Sequence, residues 1–266
     1  MLNEDRYKLI FRILKEKNTA TVGYLKKALY VSETTVRRDL LELERRGIVK
    51  RIWGGAMLAK CPDAPGFVRL NINREAKELI AKKAVSLIRD SSSLFIDSSS
   101  TCVYLAYELK KFSNLNVVTN SIDIIRIIKD FPGITAYLVG GIVTEGYDLT
   151  GKLALDGISQ FYTDYAFLSC SGITADKGIM GNDPYRQAIQ QAMIKNSDTP
   201  IVLCDTSKAG KKTLLSVASL DDVAYVVMET SPDSPELVRT LGKKLITASD
   251  SSPATYPLQA PPVSAT

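Results

Sequence analysis

The sequence predicts an α/β protein with a small helical N-terminal domain and a larger domain built on a parallel β-sheet. Three observations support this fold class. The first sixty residues carry three amphipathic helical patterns, and basic charge is concentrated in the same stretch. From Asn73 onward, short apolar runs alternate with amphipathic segments. A chain of 266 residues is long enough for two domains of these sizes.

Composition excludes several classes of function. The chain has no histidine, which removes Ser-His-Asp catalysis, Cys-His catalysis and the commonest metal ligand. Its cysteines form no CxxC pair and are scattered, at Cys61, Cys102, Cys170 and Cys204. We therefore expect no disulfide, no zinc site and no other cofactor. The N-terminus does not resemble a signal peptide, and no apolar run approaches the ~20 residues that span a bilayer, so we expect a cytoplasmic protein without a membrane partner.

Charge is distributed unevenly along the chain. Residues 1–60 hold 14 of the 34 Lys and Arg residues but 7 of the 29 Asp and Glu residues, so they carry +7 and the remainder carries −2. Neutralisation of phosphates supplies most non-specific affinity for nucleic acid. The charge alone fits either a nucleic-acid-binding domain or an ordinary solvated basic surface.

Residues 31–47 predict a capped helix. Val36, Leu40 and Leu43 fall at i, i+4 and i+7 and form one apolar stripe. Ser32 stands where an N-cap belongs, and Gly47 stands where a left-handed C-cap belongs. Two amphipathic segments precede this helix, one that ends at Asn18 and one over residues 21–29. Two short helices joined by a tight turn indicate a helix-turn-helix, whose second helix enters the major groove of DNA.

The polar face of residues 31–47 and the extended stretch after it are the candidate contact surface for DNA. Residues 48–58 read as a small β-hairpin with Gly54-Gly55 as its turn, which is the wing of a winged helix. A capped three-helix core also occurs in other proteins, but its combination with arginines, basic charge and a glycine wing favours DNA binding. The candidate DNA-binding residues are Ser32, Thr34, Thr35, Arg37, Arg38, Arg45, Arg51, Trp53, Gly54 and Gly55.

The pattern after Asn73 predicts a parallel sheet covered on both faces. Near-continuous apolar strands end in small or polar residues and alternate with helical patterns, which is typical of α/β domains. In such sheets, ligands bind beyond the carboxyl ends of the strands. The strand ends therefore define the candidate ligand site of this domain.

Three loops at these strand ends favour a small anionic ligand. The run from Asp97 to Thr101 lies between a strand and a helix, where hydroxyls and amides converge on a helix N-terminus. Gly140-Gly141 permits close backbone approach. Lys208 can offer a point charge to a phosphate. Serine and glycine are also common turn residues, so each loop alone is equally well explained as a turn.

The stretch SETTVRRDLLELERRGIVKRIWGGA resembles the N-terminal signature of the DeoR family of bacterial transcriptional regulators. The resemblance extends to about Leu245 and implies a winged helix-turn-helix followed by a sugar-phosphate sensor domain related in fold to ribose-5-phosphate isomerase. Trp53 stands where the family usually has histidine. The family's D-S-G-T-T pattern has Ser99 in place of glycine, and its D-H-S-K pattern has Thr206 in place of histidine.

The resemblance also implies which residues bind the effector. These combine the loops described above with the matches at residues 119–121 and at Gly151. The candidate effector-binding residues are Asp97, Ser98, Ser99, Ser100, Thr101, Thr119, Asn120, Ser121, Gly140, Gly141, Gly151, Asp205 and Lys208.

We therefore expect four segments: a winged helix-turn-helix domain at 1–58, a linker at 59–74, an α/β sensor domain at 75–247 and a disordered Ser/Pro-rich tail at 248–266. The favoured function is a repressor of a sugar-metabolism operon that a phosphorylated sugar releases from double-stranded operator DNA. We expect a homodimer or homotetramer, with no catalytic residues and no metal site. The alternative is a sugar-phosphate isomerase-like enzyme with an appended nucleic-acid-binding domain, in which Asp97, Asp205 and Lys208 supply acid–base groups.

Overall fold

The computed structural model of the protein describes residues 3–45, 48–58, 69–70, 72–144 and 146–249. The chain divides into two compact units, Met1–Ile72 and Asn73–Thr266. The predicted C-cap at Gly47, most of the 59–74 linker and the tail from residue 250 lie outside the described residues. None of the described helices is long and apolar enough to cross a membrane.

Between residues 3 and 58, the described part of the first unit contains three helices and a three-stranded antiparallel sheet. The strands lie in the order β1-β3-β2. In chain order the elements are α1 (Asn3–Lys17), β1 (Thr19–Thr21), α2 (Val22–Leu29), α3 (Glu33–Arg45), β2 (Val49–Ile52) and β3 (Gly55–Leu58).

Capping explains where the helices of the first unit begin. The Thr21 hydroxyl accepts a hydrogen bond from the Tyr24 amide, and Tyr30, whose φ is 54°, is the C-cap that follows α2. The Ser32 hydroxyl accepts from the Thr35 amide at 3.1 Å and so caps α3. The predicted apolar stripes of the three helices pack together into one core, which includes Ile10, Leu14, Leu25, Leu29, Val36, Leu40 and Leu43.

The wing differs from its predicted form by one residue. Ile52 pairs with Gly55 across the hairpin, so the turn is Trp53-Gly54, and the prediction of a Gly54-Gly55 turn was wrong. Gly55 belongs to β3 and lies directly against β1. A Cβ atom at this position would lie 2.2 Å from the Ala20 carbonyl oxygen. The glycine is therefore needed for close approach of two strands.

The second unit is built on a seven-stranded sheet in the order β15-β14-β12-β9-β4-β5-β6. Every adjacent pair in this sheet is parallel. The strands are β4 (Ser93–Ile96), β5 (Leu115–Thr119), β6 (Ile134–Leu138), β9 (Thr163–Ser169), β12 (Ser197–Leu203), β14 (Tyr225–Met228) and β15 (Leu245–Thr247). Consecutive residues of the central strands are buried, among them Leu94, Phe95 and Ile96, so both faces of the sheet are covered as predicted.

Six α-helices alternate with these strands in the part of the second unit that the structure describes. They are α4 (Arg74–Ala84), α5 (Ser100–Glu108), α6 (Ile122–Ile128), α7 (Lys152–Ser159), α8 (Pro184–Lys195) and α9 (Pro235–Leu241). Side chains cap several of them, because the Ser99, Ser121 and Asp183 oxygens accept hydrogen bonds from amides in the first turn. Helix α4 begins at Arg74, which is the last residue of the predicted linker.

Two small antiparallel elements were not predicted. One is the hairpin of β7 (Ile142–Val143) and β8 (Leu149–Thr150), and the other is a sheet of β10 (Gly172–Thr174), β11 (Gly178–Gly181) and β13 (Leu215–Ala218). Their strands have two to four residues, which is too short for a periodic apolar pattern to stand out.

Replacement of Gly55 by alanine is expected to destabilise the first unit by ~1–3 kcal/mol, because the new methyl group overlaps the Ala20 carbonyl and the strands have to move apart. The matched control is Gly23→Ala, on the exposed side of α2, where a Cβ meets no atom within 4 Å. Alanine there is expected to stabilise the helix by about 0.5–1 kcal/mol. Urea unfolding followed by far-UV circular dichroism measures both changes, and equal stability of the two variants would contradict the role of Gly55.

Candidate functional site

Helix α3 presents a polar face opposite its buried stripe. Thr34, Arg37, Arg38 and Arg45 are exposed, whereas Val36, Leu40 and Leu43 are buried. The hydroxyls of Ser32 and Thr35 lie 2.8 Å apart and belong to the N-terminal cap. The exposed part of the face is therefore formed mainly by arginines.

These arginines differ in their partners. Arg37 pairs with Glu33 at 2.7 Å, and Arg45 pairs with Glu42 at 2.9 Å. Arg38 makes no ion pair within the part of the chain that the structure describes. Exposed ion pairs are worth only ~0–1 kcal/mol, so a DNA phosphate can displace the glutamates at little cost.

The wing is attached to α3 through Arg51. Its amide donates to Glu44 Oε1 at 2.9 Å, and its guanidinium pairs with the same carboxylate. The hydrogen bond from the Arg51 amide has the larger effect and the one from the Arg51 guanidinium the smaller, and both lower the pKa of Glu44. Trp53, the single tryptophan of the chain, is fully exposed at the tip of the wing, beside Gly54 with a φ of 76°.

Arg6 and Asp39 form a buried ion pair that the sequence analysis did not anticipate. The Arg6 guanidinium donates to both carboxylate oxygens of Asp39, at 2.6 and 2.9 Å. The hydrogen bond with Asp39 raises the pKa of Arg6. Because Arg6 belongs to α1 and Asp39 to α3, this pair links the two helices directly beside Arg38.

At the carboxyl edge of the large sheet, Asp97 joins three elements. Its Oδ1 accepts from the Ser99 amide at 2.9 Å, and its Oδ2 accepts from the Ser169 amide at 3.1 Å. The Gln190 side-chain amide also donates to Oδ2, at 2.6 Å. Asp97, which is 3% exposed, therefore holds the ends of β4 and β9 and helix α8 together.

The loop after Asp97 leads directly into helix α5. Ser99 has extended backbone angles, with φ −71° and ψ 151°, so glycine is not required there, and its hydroxyl caps α5. Ser98 donates to Asp148, and Ser100 is half-buried in the first turn. Thr101 is fully buried, and its hydroxyl oxygen has no hydrogen-bond partner among the described residues.

Lys208 lies beside the end of β9. Its Nζ donates to the Ser169 hydroxyl at 3.2 Å and lies 3.6 Å from Asp205 Oδ2. Burial raises the pKa of Asp205, but the Lys208 charge and hydrogen bonds from Ser207 and Asn73 outweigh it, so this pKa lies below its ordinary value. Because Ser169 also contacts Asp97, the structure brings the Asp97 and Lys208 loops together.

Thr206 is bound to the end of β14. Its amide and hydroxyl both donate to the Glu229 carboxylate, at 3.1 and 2.6 Å. Thr206 therefore anchors the Lys208 loop to the residue that follows β14.

The Thr119–Ser121 loop is buried and largely bonded to itself and its neighbours. Thr119 donates to the Ile96 carbonyl at 2.6 Å, and Ser121 caps α6. Asn120 donates to the Leu149 carbonyl, whereas its own side-chain oxygen has no partner among the described residues. The side chains of this loop mainly fix its shape.

The glycines of the candidate site differ in their surroundings. A Cβ at Gly141 would lie 2.7 Å from the Thr150 carbonyl oxygen, and Gly151 has a φ of 84°. A Cβ at Gly140 would meet no atom within 4 Å. Close backbone approach therefore occurs at Gly141 but not at Gly140.

Asp148 and Arg186 form a second ion pair at this edge, which the sequence analysis missed. Arg186 Nε lies 2.8 Å from Asp148 Oδ2, and Asp148 is fully buried. Burial raises the pKa of Asp148, but the hydrogen bond and charge of Arg186 outweigh this effect, so the pKa of Asp148 lies below its ordinary value. The Asp183-Pro184 start of α8 was a usable signal, because it places Arg186 and Gln190 one turn apart on one helix face.

The arrangement can hold an anion. It combines the N-terminus of α5, a buried hydroxyl at Thr101 and the ammonium of Lys208, which are the groups that bind phosphates in other α/β proteins. No group of three or more His, Cys, Asp or Glu side chains within the described residues could hold a metal ion.

Two sequence profiles match the chain. One described as the DeoR-like helix-turn-helix domain matches residues 6–61, and one described as the DeoR C-terminal sensor domain matches residues 72–230. A solved structure of D-ribose-5-phosphate isomerase in complex with phospho-erythronic acid overlaps 51% of this chain and 54% of its own, with 18% identity and a TM-score of 0.38. That degree of overlap supports no statement about function.

Curated relatives match over most of both lengths. The HTH-type transcriptional regulator GolR of Listeria innocua is 32% identical over 85% of this chain and 90% of its own. The transcriptional repressor AccR of Agrobacterium fabrum is 30% identical, with 91% and 95% covered. The glycerol-3-phosphate regulon repressor of Escherichia coli is 30% identical, with 87% and 93% covered. The chain thus belongs to the DeoR family of DNA-binding transcriptional regulators, with a helix-turn-helix domain and a DeoR sensor domain.

Proposed function

We propose that this protein is a cytoplasmic repressor of a sugar-metabolism operon, which a phosphorylated sugar releases from its operator. The observation that carries the proposal is the meeting of the Asp97 and Lys208 loops at the carboxyl edge of the sheet, through Ser169. The names of several relatives support the choice of a repressor, since they include the HTH-type transcriptional repressor GlcR of Bacillus subtilis.

We assign contact with the DNA bases to α3 and contact with the sugar-phosphate backbone of the DNA to the wing. Arg38 lies near the middle of the polar face and has no ion-pair partner within the described residues. An arginine in this setting can bind a guanine edge with two hydrogen bonds. Arg51 and Trp53 are exposed on the wing, and we propose that they contact the sugar-phosphate backbone.

We assign binding of the effector's phosphate group to the first turn of α5 and to Lys208. Thr101 would donate its buried hydroxyl, and the amides of the turn would contribute the positive end of the helix dipole. Asp97 would accept from a sugar hydroxyl next to its existing hydrogen bonds. Such charge-assisted bonds are roughly twice as strong as neutral ones.

The two sites would be linked through a two-state equilibrium. We propose a homodimer or homotetramer assembled through the sensor domains, because paired winged helices on symmetric half-sites multiply affinity. An effector that favours an arrangement with poorer half-site spacing lowers the affinity for DNA. Bound DNA then lowers the affinity for the effector by the same factor.

The enzyme alternative fits the geometry less well. A general base for isomerisation needs a free oxygen and a pKa near neutral pH. Both oxygens of Asp97 already accept hydrogen bonds from the protein, and the pKa of Asp205 is lowered. Both carboxylates are therefore better suited to fixing loops and orienting a ligand, and we propose that the protein has no catalytic activity.

The DNA site for this test is one that the protein selects from a random pool. Substitution of Arg38 by alanine is expected to weaken binding to this site by ~1–3 kcal/mol and to relax specificity at one base pair. Fluorescence anisotropy with labelled DNA measures the affinity. The matched control is Arg239→Ala, an exposed arginine of α9 in the second unit, which is expected to bind like the wild type. If Arg38→Ala leaves both affinity and salt dependence unchanged, Arg38 lies outside the interface.

Substitution of Lys208 by methionine is expected to weaken binding of a sugar phosphate by ~1.5–3 kcal/mol, because a charge-assisted hydrogen bond is lost while side-chain length is kept. The variant is expected to bind DNA like the wild type and to remain bound when the sugar phosphate is added. Calorimetry measures the first effect, and a gel shift with titrated ligand measures the second.

The control for this substitution is Lys211→Met, at an exposed lysine three residues further along the chain. It is expected to keep both ligand affinity and release of DNA. Release of DNA from Lys208→Met at the wild-type ligand concentration would show that the phosphate is bound elsewhere. Loss of DNA binding by the variant without ligand would instead assign Lys208 a role in the fold.

A further inference from the structure

Asn73 lies at the N-cap of helix α4 but does not cap it. An asparagine at this position ordinarily accepts a hydrogen bond from an amide of the first helical turn. The Asn73 side chain makes no such bond, and its backbone is left-handed, with φ 51° and ψ 40°. The side chain is engaged elsewhere.

Its partners are in the Lys208 loop, more than a hundred residues away in sequence. Asn73 Nδ2 donates to Asp205 Oδ1 at 2.9 Å and to the Ser207 hydroxyl at 3.0 Å. Asp205 is 2% exposed, so water does not readily replace a lost partner of its carboxylate. The contact therefore ties the beginning of α4 to the loop that carries Lys208.

Asp205 is shared between this contact and the proposed ligand site. Lys208 lies 3.6 Å from its other oxygen, and the positive charge of buried Lys77, one turn along α4 from Asn73, also acts on it. When Lys208 turns to a ligand phosphate, its attraction to Asp205 weakens. Asp205 then depends more on Asn73 and Lys77, which both belong to α4.

Asn73 is also the first residue of the second unit, next in the chain to the last residue of the first. We infer that Asn73 is a positioning residue that couples ligand occupancy at Lys208 to the DNA affinity of the N-terminal unit. It acts through Asp205 and touches no ligand. The inference rests on the proposed function, because it requires that a sugar phosphate binds at Lys208. The ligand shifts the equilibrium between two arrangements of the Asn73–Asp205 contact, by as much as its affinities for the two arrangements differ.

The test uses Asn73→Gly in the full-length chain. Glycine readily adopts a φ of 51°, so the substitution removes the side chain without straining the backbone. The probe is whichever compound from a panel of pentose and hexose phosphates binds the wild type in calorimetry. The quantity measured is the ratio of DNA affinities without and with this compound at saturation.

We expect the variant to bind DNA alone, and the sugar phosphate alone, within about threefold of the wild type, while the ratio falls from roughly 5–150-fold to about one. The matched control is Asn18→Gly, an exposed asparagine of the first unit whose φ is 60°. It is expected to keep the wild-type ratio. A wild-type ratio in Asn73→Gly overturns the inference, and so does loss of sugar-phosphate binding, which would make Asn73 part of the binding site.

Hydrogen exchange gives a second measurement that needs no ligand. The amides of residues 203–210 are expected to exchange faster in Asn73→Gly than in the wild type, and Ser207→Ala, which removes one of the two acceptors, is expected to give a smaller increase. Unchanged exchange in Asn73→Gly overturns the inference. If the wild-type protein binds none of the sugar phosphates, the proposed function itself is contradicted. Hydrogen exchange then still decides whether Asn73 holds the Lys208 loop.

Discussion

The buried carboxylate of Asp97 organises the edge of the sheet on which the sensor site depends. It accepts hydrogen bonds from two backbone amides and from Gln190, and these come from three different elements. Polar oxygens so deeply buried are stable only when hydrogen bonds satisfy them in this way. The same bonds fix the start of α5 and the end of β9, so they set the distance between the helix N-terminus and Lys208.

The DNA-binding unit depends on a comparable buried charge. Asp39 receives both hydrogen bonds of the Arg6 guanidinium, and this pair links α3 to α1. Removal of one partner from a buried pair typically costs about 3–5 kcal/mol, because the other charge is left without compensation. The exposed arginines of α3 have weaker, replaceable partners. The inner face of α3 is thus held in place by the buried pair, whereas the arginines of its outer face can exchange their partners.

The sequence predicted those features that depend on local order. Helix stripes, the Ser32 cap and the buried parallel strands all follow from periodicity and near-neighbour chemistry, and the structure contains them. The turn of the wing was misplaced by one residue, because Gly54 and Gly55 are equally good turn residues and only the approach of β1 distinguishes them. Pairs such as Asp148–Arg186 and Asn73–Asp205 join residues far apart in the chain, so a local pattern marks at most one partner, as the Asp183-Pro184 helix start does for Arg186, and not the pairing itself.

Trp53 allows release of DNA by a sugar phosphate to be measured directly. The chain has this single tryptophan, and it is fully exposed at the wing tip. Its fluorescence can be followed while the full-length protein is titrated with a selected DNA site and then with a sugar phosphate whose binding calorimetry has established. We expect DNA to quench the emission and the sugar phosphate to restore it. Emission that stays at the DNA-bound value when the ligand is saturating would show that the sugar phosphate does not release the DNA.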